Sequence, residues 1–177
     1  AAAWMLMALS IGSFMASAFF IYPAVPDKDN DQLIRAGLTV DGHIAARTGA
    51  WAAVGTAGVS LLEVPLVMSD LTGTPIAQVL NPELMGMAVG QIAASQVWLL
   101  TAGIAVLLSL VGFLARTWAG QVGVFFLSLL LTVPLGLEGH SAAGGDHDYG
   151  TNSLLLHLFF IMLWVGGLMG LIAHGRR

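Results

Sequence analysis

Cysteine is absent from the 177 residues. That excludes disulfides, thiolate metal sites and cysteine nucleophiles, so any metal held here takes histidine, carboxylate, methionine or backbone oxygen. Charge is nearly as scarce: 9% of residues are Asp, Glu, Lys or Arg, against about a quarter in an ordinary soluble domain. A globule with so few charges has too little polar surface to cover itself in water. Basic runs are missing as well. Lys and Arg number 6 against 10 Asp and Glu, for a formal net charge of -4, which argues against nucleic acid as a partner.

What the sequence has instead is apolar length. Hydrophobic residues make up 57% of the chain and the mean hydropathy is +0.85. A helix needs about 20 apolar residues to cross the hydrocarbon core of a bilayer. Five stretches qualify, roughly 1–22, 48–68, 92–115, 121–138 and 153–173. The pattern predicts an all-α integral membrane protein, a bundle of about five transmembrane helices forming a single domain, 1–177, in the lipid bilayer. The first span stops at Pro23 and Pro26, the second carries Glu63 and Pro65, and Pro134 should bend the fourth. Asn81-Pro82-Glu83 has the form of a helix start, an N-cap followed by Pro at the first position. Gly86 with Gly90, and Gly166 with Gly170, have the GxxxG spacing that lets helices approach closely in lipid. The apolar start at Ala1, with neither Met nor a basic leader, and the abrupt end at Arg177 read as a portion of a longer protein.

The basic residues orient the bundle. Lys28, Arg35 and Arg47 fall between spans one and two, Arg116 between three and four, and Arg176 with Arg177 after five; the loops 69–91 and 139–152 hold neither Lys nor Arg. Alternating spans therefore collect every basic residue on one side, which the positive-inside rule makes cytoplasmic. The loop 139–152 then faces the extracytoplasmic side.

Ionisable residues within spans are costly and mark function. Glu63 lies in the outer half of span two, Glu138 and His140 close span four, and His157 lies little more than one turn into span five, about 6 Å deep. These four share one outer layer, and the loop adds Asp146, His147, Asp148 and Tyr149. Imidazole and carboxylate are the ligands that copper and zinc accept when thiolate is lacking. His140, His157 and His147 are therefore candidate metal ligands, with Glu63 and Glu138 supplying charge or orienting a ligand. Plainer readings stand beside this one. A single histidine near a helix end is often a satisfied interfacial residue, His147 sits in a Gly-rich loop that reads as solvated surface, and a Glu63–histidine ion pair would also explain the shared depth. His43 and His174 fall on the cytoplasmic side and read as structural, the methionines read mostly as packing, and Trp51, Trp98 and Trp164 read as belt or core aromatics.

The turn Gly139-His140-Ser141-Ala142-Ala143, followed by Leu154-Leu155-Leu156-His157 and then Trp164-Val165-Gly166-Gly167-Leu168, resembles the copper-resistance D family. The likeness covers about the last forty residues, with Arg47 and Trp51 fitting more loosely. The first span and the loop 71–91 carry no motif of that family. The resemblance implies copper handling at the bacterial cytoplasmic membrane, by import or delivery from the extracytoplasmic side, with His140 and His157 as metal-related positions and Trp164, Gly166 and Gly167 as packing elements. Relatives fused to an oxidase-assembly domain point to cytochrome oxidase maturation, and to a copper chaperone or oxidase subunits as partners. The copper oxidation state stays open, since histidine and methionine serve either. Two alternatives compete: a b-type haem protein ligated by paired histidines, and a metal-free assembly subunit of a respiratory complex. Ser141 and Ser153 stand near histidines but in no nucleophile motif, so an enzyme is not expected.

Overall fold

The structure, a computed structural model, describes residues 1–23, 30–138 and 147–175. The chain is helical, with no strand among the described residues beyond a single bridge between Gly37 and Thr117. Helix α1 (Ala2–Met15) widens at its end into a π-helical turn, Ala16–Phe20. After the short α2 (Asn30–Arg35) comes the longest element, α3 (Val40–Thr72). A reversal through α4 (Ile76–Val79) and α5 (Pro82–Gln91) leads into α6 (Ala93–Leu114). Then follow α7 (Trp118–Ser128), a 3₁₀ turn (Leu129–Thr132), α8 (Val133–Glu138) and α9 (His147–His174). Five helical stretches are long and apolar enough to cross a membrane: Ala2–Phe20, Val40–Thr72, Ala93–Leu114, Trp118–Gly136 and Asn152–His174. The chain is a multi-pass membrane protein.

Local chemistry explains most of the boundaries. Thr39 caps α3 by accepting from the Gly42 amide at 3.2 Å, and Gly73, at φ 64°, supplies the left-handed residue that ends it. The Asn81 carboxamide accepts from the Glu83 amide at 2.9 Å and Pro82 opens α5, as the motif predicts. In the fourth span the helix tightens into the 3₁₀ turn immediately ahead of Pro134, whose missing N–H leaves the ladder one bond short. Two spans differ from the sequence reading. Helix α3 starts at Val40 rather than near residue 48, so Asp41, His43 and Arg47 are helical; at 33 residues it runs about 50 Å, longer than a bilayer core is thick. Helix α9 starts at His147 rather than near residue 153. In both cases hydropathy marks where the chain enters lipid, whereas a helix continues into the polar zone until something stops it.

The bundle is assembled around α1. On its α3 side, Ser10 and Ser17 donate to the carbonyls of Gly49 and Gly42 at 2.9 and 3.0 Å. The two bonds are two turns apart on both helices, which fixes an antiparallel register. Phe14, fully buried between them, lies against Gly49 of α3 and Gly112 of α6; a Cβ at Gly112 would come within 2.8 Å of the ring. On its other side α1 meets α9 backbone to backbone. A Cβ at Gly12 would overlap the Gly166 carbonyl, one at Gly170 would overlap the Gly12 carbonyl, and one at Gly166 would stand 2.8 Å from the Ala8 carbonyl. Ala8 and Gly12 thus face Gly166 and Gly170 in parallel, small residues four apart on each helix, as close packing in lipid requires.

One end of the bundle is tied by hydrogen bonds between its connections. The Trp118 indole donates to the Ala18 carbonyl and the Trp118 amide to the Ala36 carbonyl, both at 2.8 Å, and the Leu38 amide donates to the Arg116 carbonyl at 3.3 Å. The segment after span one and the turn between spans three and four therefore meet at a single end, which carries Arg35 and Arg116 and is termed the basic end. Lys28, Arg176 and Arg177 lie outside the described residues.

The α1–α9 contact should be intolerant of side chains. Gly166→Leu is expected to lower stability by about 1–3 kcal/mol, the usual cost of overpacking. Gly58→Ala, where a Cβ meets nothing within 4 Å, should leave stability unchanged or raise it. Thermal unfolding of the detergent-purified variants measures both.

Candidate functional site

The end opposite the basic end holds Glu63, singled out from sequence, and Asp70, which the sequence reading passed over. Helix α3 presents Glu63, half-buried, and Asp70, exposed, on one face two turns apart. Beyond Thr72 the chain turns back on that face, and the Ser69 hydroxyl donates to the Thr74 carbonyl at 2.7 Å to pin the reversal. The result is a groove of about 640 Å³ lined by Glu63, Val67, Ser69, Asp70, Thr74 and Pro75. Two carboxylates in an open groove form an anionic, oxygen-rich surface suited to attract a cation from solution. Beneath the reversal, Met68, Val79 and Ala88 form a small buried cluster against which Met85 and Ile92 pack; Met68 is one of its packing members.

Helix registers give the levels of the remaining candidates. The Ser10–Gly49 and Gly12–Gly170 contacts place His157 about level with the start of α1, and Glu63 roughly one turn farther out. Gly136 packs against Leu155, so the end of α8, where Glu138 lies, comes to the same level. Shared level is not shared facing. His157 is exposed and lies on the α9 face that carries Phe160, Ile161, Trp164 and Leu168, all exposed, while Met162, Gly166 and Gly170 turn inward. His147 is the first residue of the same continuous helix, ten positions and about 15 Å before His157, so the two positions lie far apart along α9. For Glu138 and His147 the described part is the helical backbone, and His140 lies outside the described residues. Among the described residues no three His, Asp or Glu gather into a group that would hold a metal.

The basic end holds what sequence reasoning left as merely structural. His174, 9% exposed, closes α9 with its Nε2 3.2 Å from the Ser13 hydroxyl of α1. A stripe of Ser10, Ser13 and Ser17 in an otherwise apolar span was the available signal, since polar side chains at helical spacing in lipid face partners. His43, by contrast, is exposed on the first turns of α3. Trp51 stacks edge-on with Phe113 at 5.3 Å on the outside of the bundle, Trp98 packs against its core, and Trp164 is exposed.

Five membrane-crossing helices, tied at a basic end and open at the other into a groove with two carboxylates, define a small helical membrane protein with polar chemistry at both surfaces. Its family follows from comparison: residues 1–149 match the model of the copper resistance protein D-like N-terminal domain, and the chain belongs to that family. No curated protein and no solved structure matches the chain. The matched region takes in the first span and the loop 71–91, which carry no family motif, and the Gly139–Ala143 turn of the resemblance; it ends ahead of the Leu154–Leu168 stretch, the resemblance's other part.

Topology is directly testable because the chain has no cysteine. In intact cells a membrane-impermeant maleimide should label Thr74→Cys, at the groove, and label Arg35→Cys, at the basic end, only after permeabilisation.

Proposed function

We propose that the protein binds copper at the extracytoplasmic surface of the bacterial cytoplasmic membrane and passes it inward, by import or by delivery to a partner. Membership of the copper-resistance D-like family over 149 matched residues is the observation that carries this reading. Copper is the cargo, not a resident cofactor. Its ligands are assigned to His140 and His157, with His147, ten positions before His157 on α9, as a separate point of first capture. Glu63 and Glu138 act on charge: with Asp70 they make the outer end anionic and raise the local concentration of a cation. Imidazole suits copper in either common oxidation state when thiolate is lacking. Delivery to a copper chaperone or to cytochrome oxidase subunits is the partner role consistent with such a surface.

The levels of Glu63, Glu138 and His157 support the reading, because three ionisable residues from three helices reach the same end of the bundle. The outward facing of His157 adds a requirement: a copper ion shared with His140 is held on the exposed face of α9 and not inside the bundle. Metal content of the detergent-purified protein after growth in copper tests the proposal. Near-stoichiometric copper is expected in the wild type, falling by at least about tenfold in His140→Ala and in His157→Ala. Copper content that both variants retain in full would move the ligands elsewhere, and iron in place of copper would favour the haem alternative.

A further inference from the structure

On the outside of the bundle, α1 and α3 leave between them a groove of about 520 Å³, walled by Leu6, Leu9, Ile44, Arg47, Trp51 and Ala52. Small residues shape it. Ala45, Ala46, Gly49 and Ala50 take the buried face of α3, so His43, Arg47 and Trp51, spaced four apart on the same side, stand exposed. Leu6 lies against Gly55, where a Cβ would come within 3.2 Å of it. The Trp51 ring, edge-on to Phe113 at 5.3 Å, makes one wall. The Thr48 hydroxyl, also in the lining, is committed to the Ile44 carbonyl at 2.9 Å. Arg47 therefore carries the only charge in the lining. Sequence offers it no carboxylate close by: the positions three and four residues away are His43, Ile44, Ala50 and Trp51, and α1 contains neither Asp nor Glu.

We propose that this groove holds an anionic phospholipid of the leaflet at the basic end, with its phosphate on Arg47 and the upper part of one acyl chain along Leu6, Leu9 and Trp51. The Ser10–Gly49 bond sets Leu6 and Leu9 farther from the basic end than Arg47. The charge thus lies toward the basic end and the apolar walls run on from it toward the other, which is the polarity of a lipid in that leaflet. The contact of Gly112 with Ala50 puts Arg47 about level with Arg116, where α6 has ended. A cation facing hydrocarbon is costly without a counter-charge, and a guanidinium matches a phosphate with two parallel hydrogen bonds. Charge also selects the occupant. A zwitterionic headgroup brings its own cation, which Arg47 repels, whereas an anionic headgroup leaves its negative charge for the guanidinium. Basic pockets between membrane helices on the cytoplasmic side take such headgroups. The proposal rests on the membrane reading and on the basic end, and is independent of copper.

The test reconstitutes the purified full chain in phosphatidylcholine vesicles and reads quenching of tryptophan fluorescence by lipids brominated along an acyl chain. Brominated phosphatidylglycerol is compared with brominated phosphatidylcholine at equal mole fraction. The wild type should be quenched more by the anionic lipid, and Trp51→Phe, which keeps an aromatic ring against Phe113, should abolish that excess. Arg47→Gln should lower the preference for phosphatidylglycerol by about fivefold, the effect of one basic residue near an anionic surface. Arg116→Gln, an equally exposed cation outside the groove, should leave it unchanged. Equal quenching of the wild type by both lipids overturns the site, as does an excess that survives Trp51→Phe. A preference lowered as much by Arg116→Gln as by Arg47→Gln shows diffuse attraction to the basic end, and overturns it too. The wild-type and Trp51→Phe arms decide the matter even if Arg47→Gln fails to fold.

Discussion

The backbones of α1 and α9 come into direct contact where Gly12 meets Gly166 and Gly170, and the rest of the bundle is arranged around that contact. In lipid, apolar side chains gain nothing by leaving the hydrocarbon for one another, so helices associate through tight packing and hydrogen bonds. Removing side chains from the contact lets the carbonyls of one helix approach the Cα atoms of the other. This contact also sets the register of the last span. With Gly12 seated between Gly166 and Gly170, His174 arrives beside Ser13 and His157 arrives level with Ala1. The chemistry at both ends of α9 therefore depends on a stripe of residues that have no chemistry of their own.

A second constraint works across the bundle. Burying a hydroxyl in hydrocarbon costs free energy unless it is bonded, and Ser10 and Ser17 meet this cost by bonding to glycine carbonyls of α3. The glycines allow the approach and the serines fix its register, which brings Phe14 into the gap left by Gly49 and Gly112. Helix α1 is consequently held on both sides by small residues, and 61% of its span is buried. The span of α9 is only 17% buried, because one narrow face serves α1 and α8 while the rest is turned outward with His157 and Trp164.

The five spans were legible because charge and hydropathy are nearly all that lipid selects on. So were the Asn81-Pro82 helix start and the Gly166–Gly170 packing stripe, each of which carries its mechanism in a few adjacent residues. The early start of α3 at Val40 was not, since Asp41, His43 and Arg47 signal departure from the hydrocarbon and are compatible with a helix that continues beyond it. The direction of His157 was not legible either, because facing depends on which side of α9 the glycines give to α1. The His174–Ser13 pair joins positions 161 apart in sequence, and its partner is a serine in an apolar run, a residue common in such helices for packing reasons alone. Family membership was legible from the Gly139–Ala143 turn and the stretch after it, while the match covers residues 1–149, most of which carry the signal too thinly spread to form a motif.

Taken together, the bundle has an outer end that carries Glu63, Asp70 and His157 and a basic end that carries Arg35 and Arg116, with the close α1–α9 contact between them. The most direct test of copper passage between them is uptake of radiolabelled copper into proteoliposomes of defined orientation, with copper supplied on the side opposite the basic end. The account predicts protein-dependent accumulation that is lost when His157 is replaced by Ala. Accumulation no greater than in protein-free vesicles, with the protein shown to be folded and inserted, would contradict it.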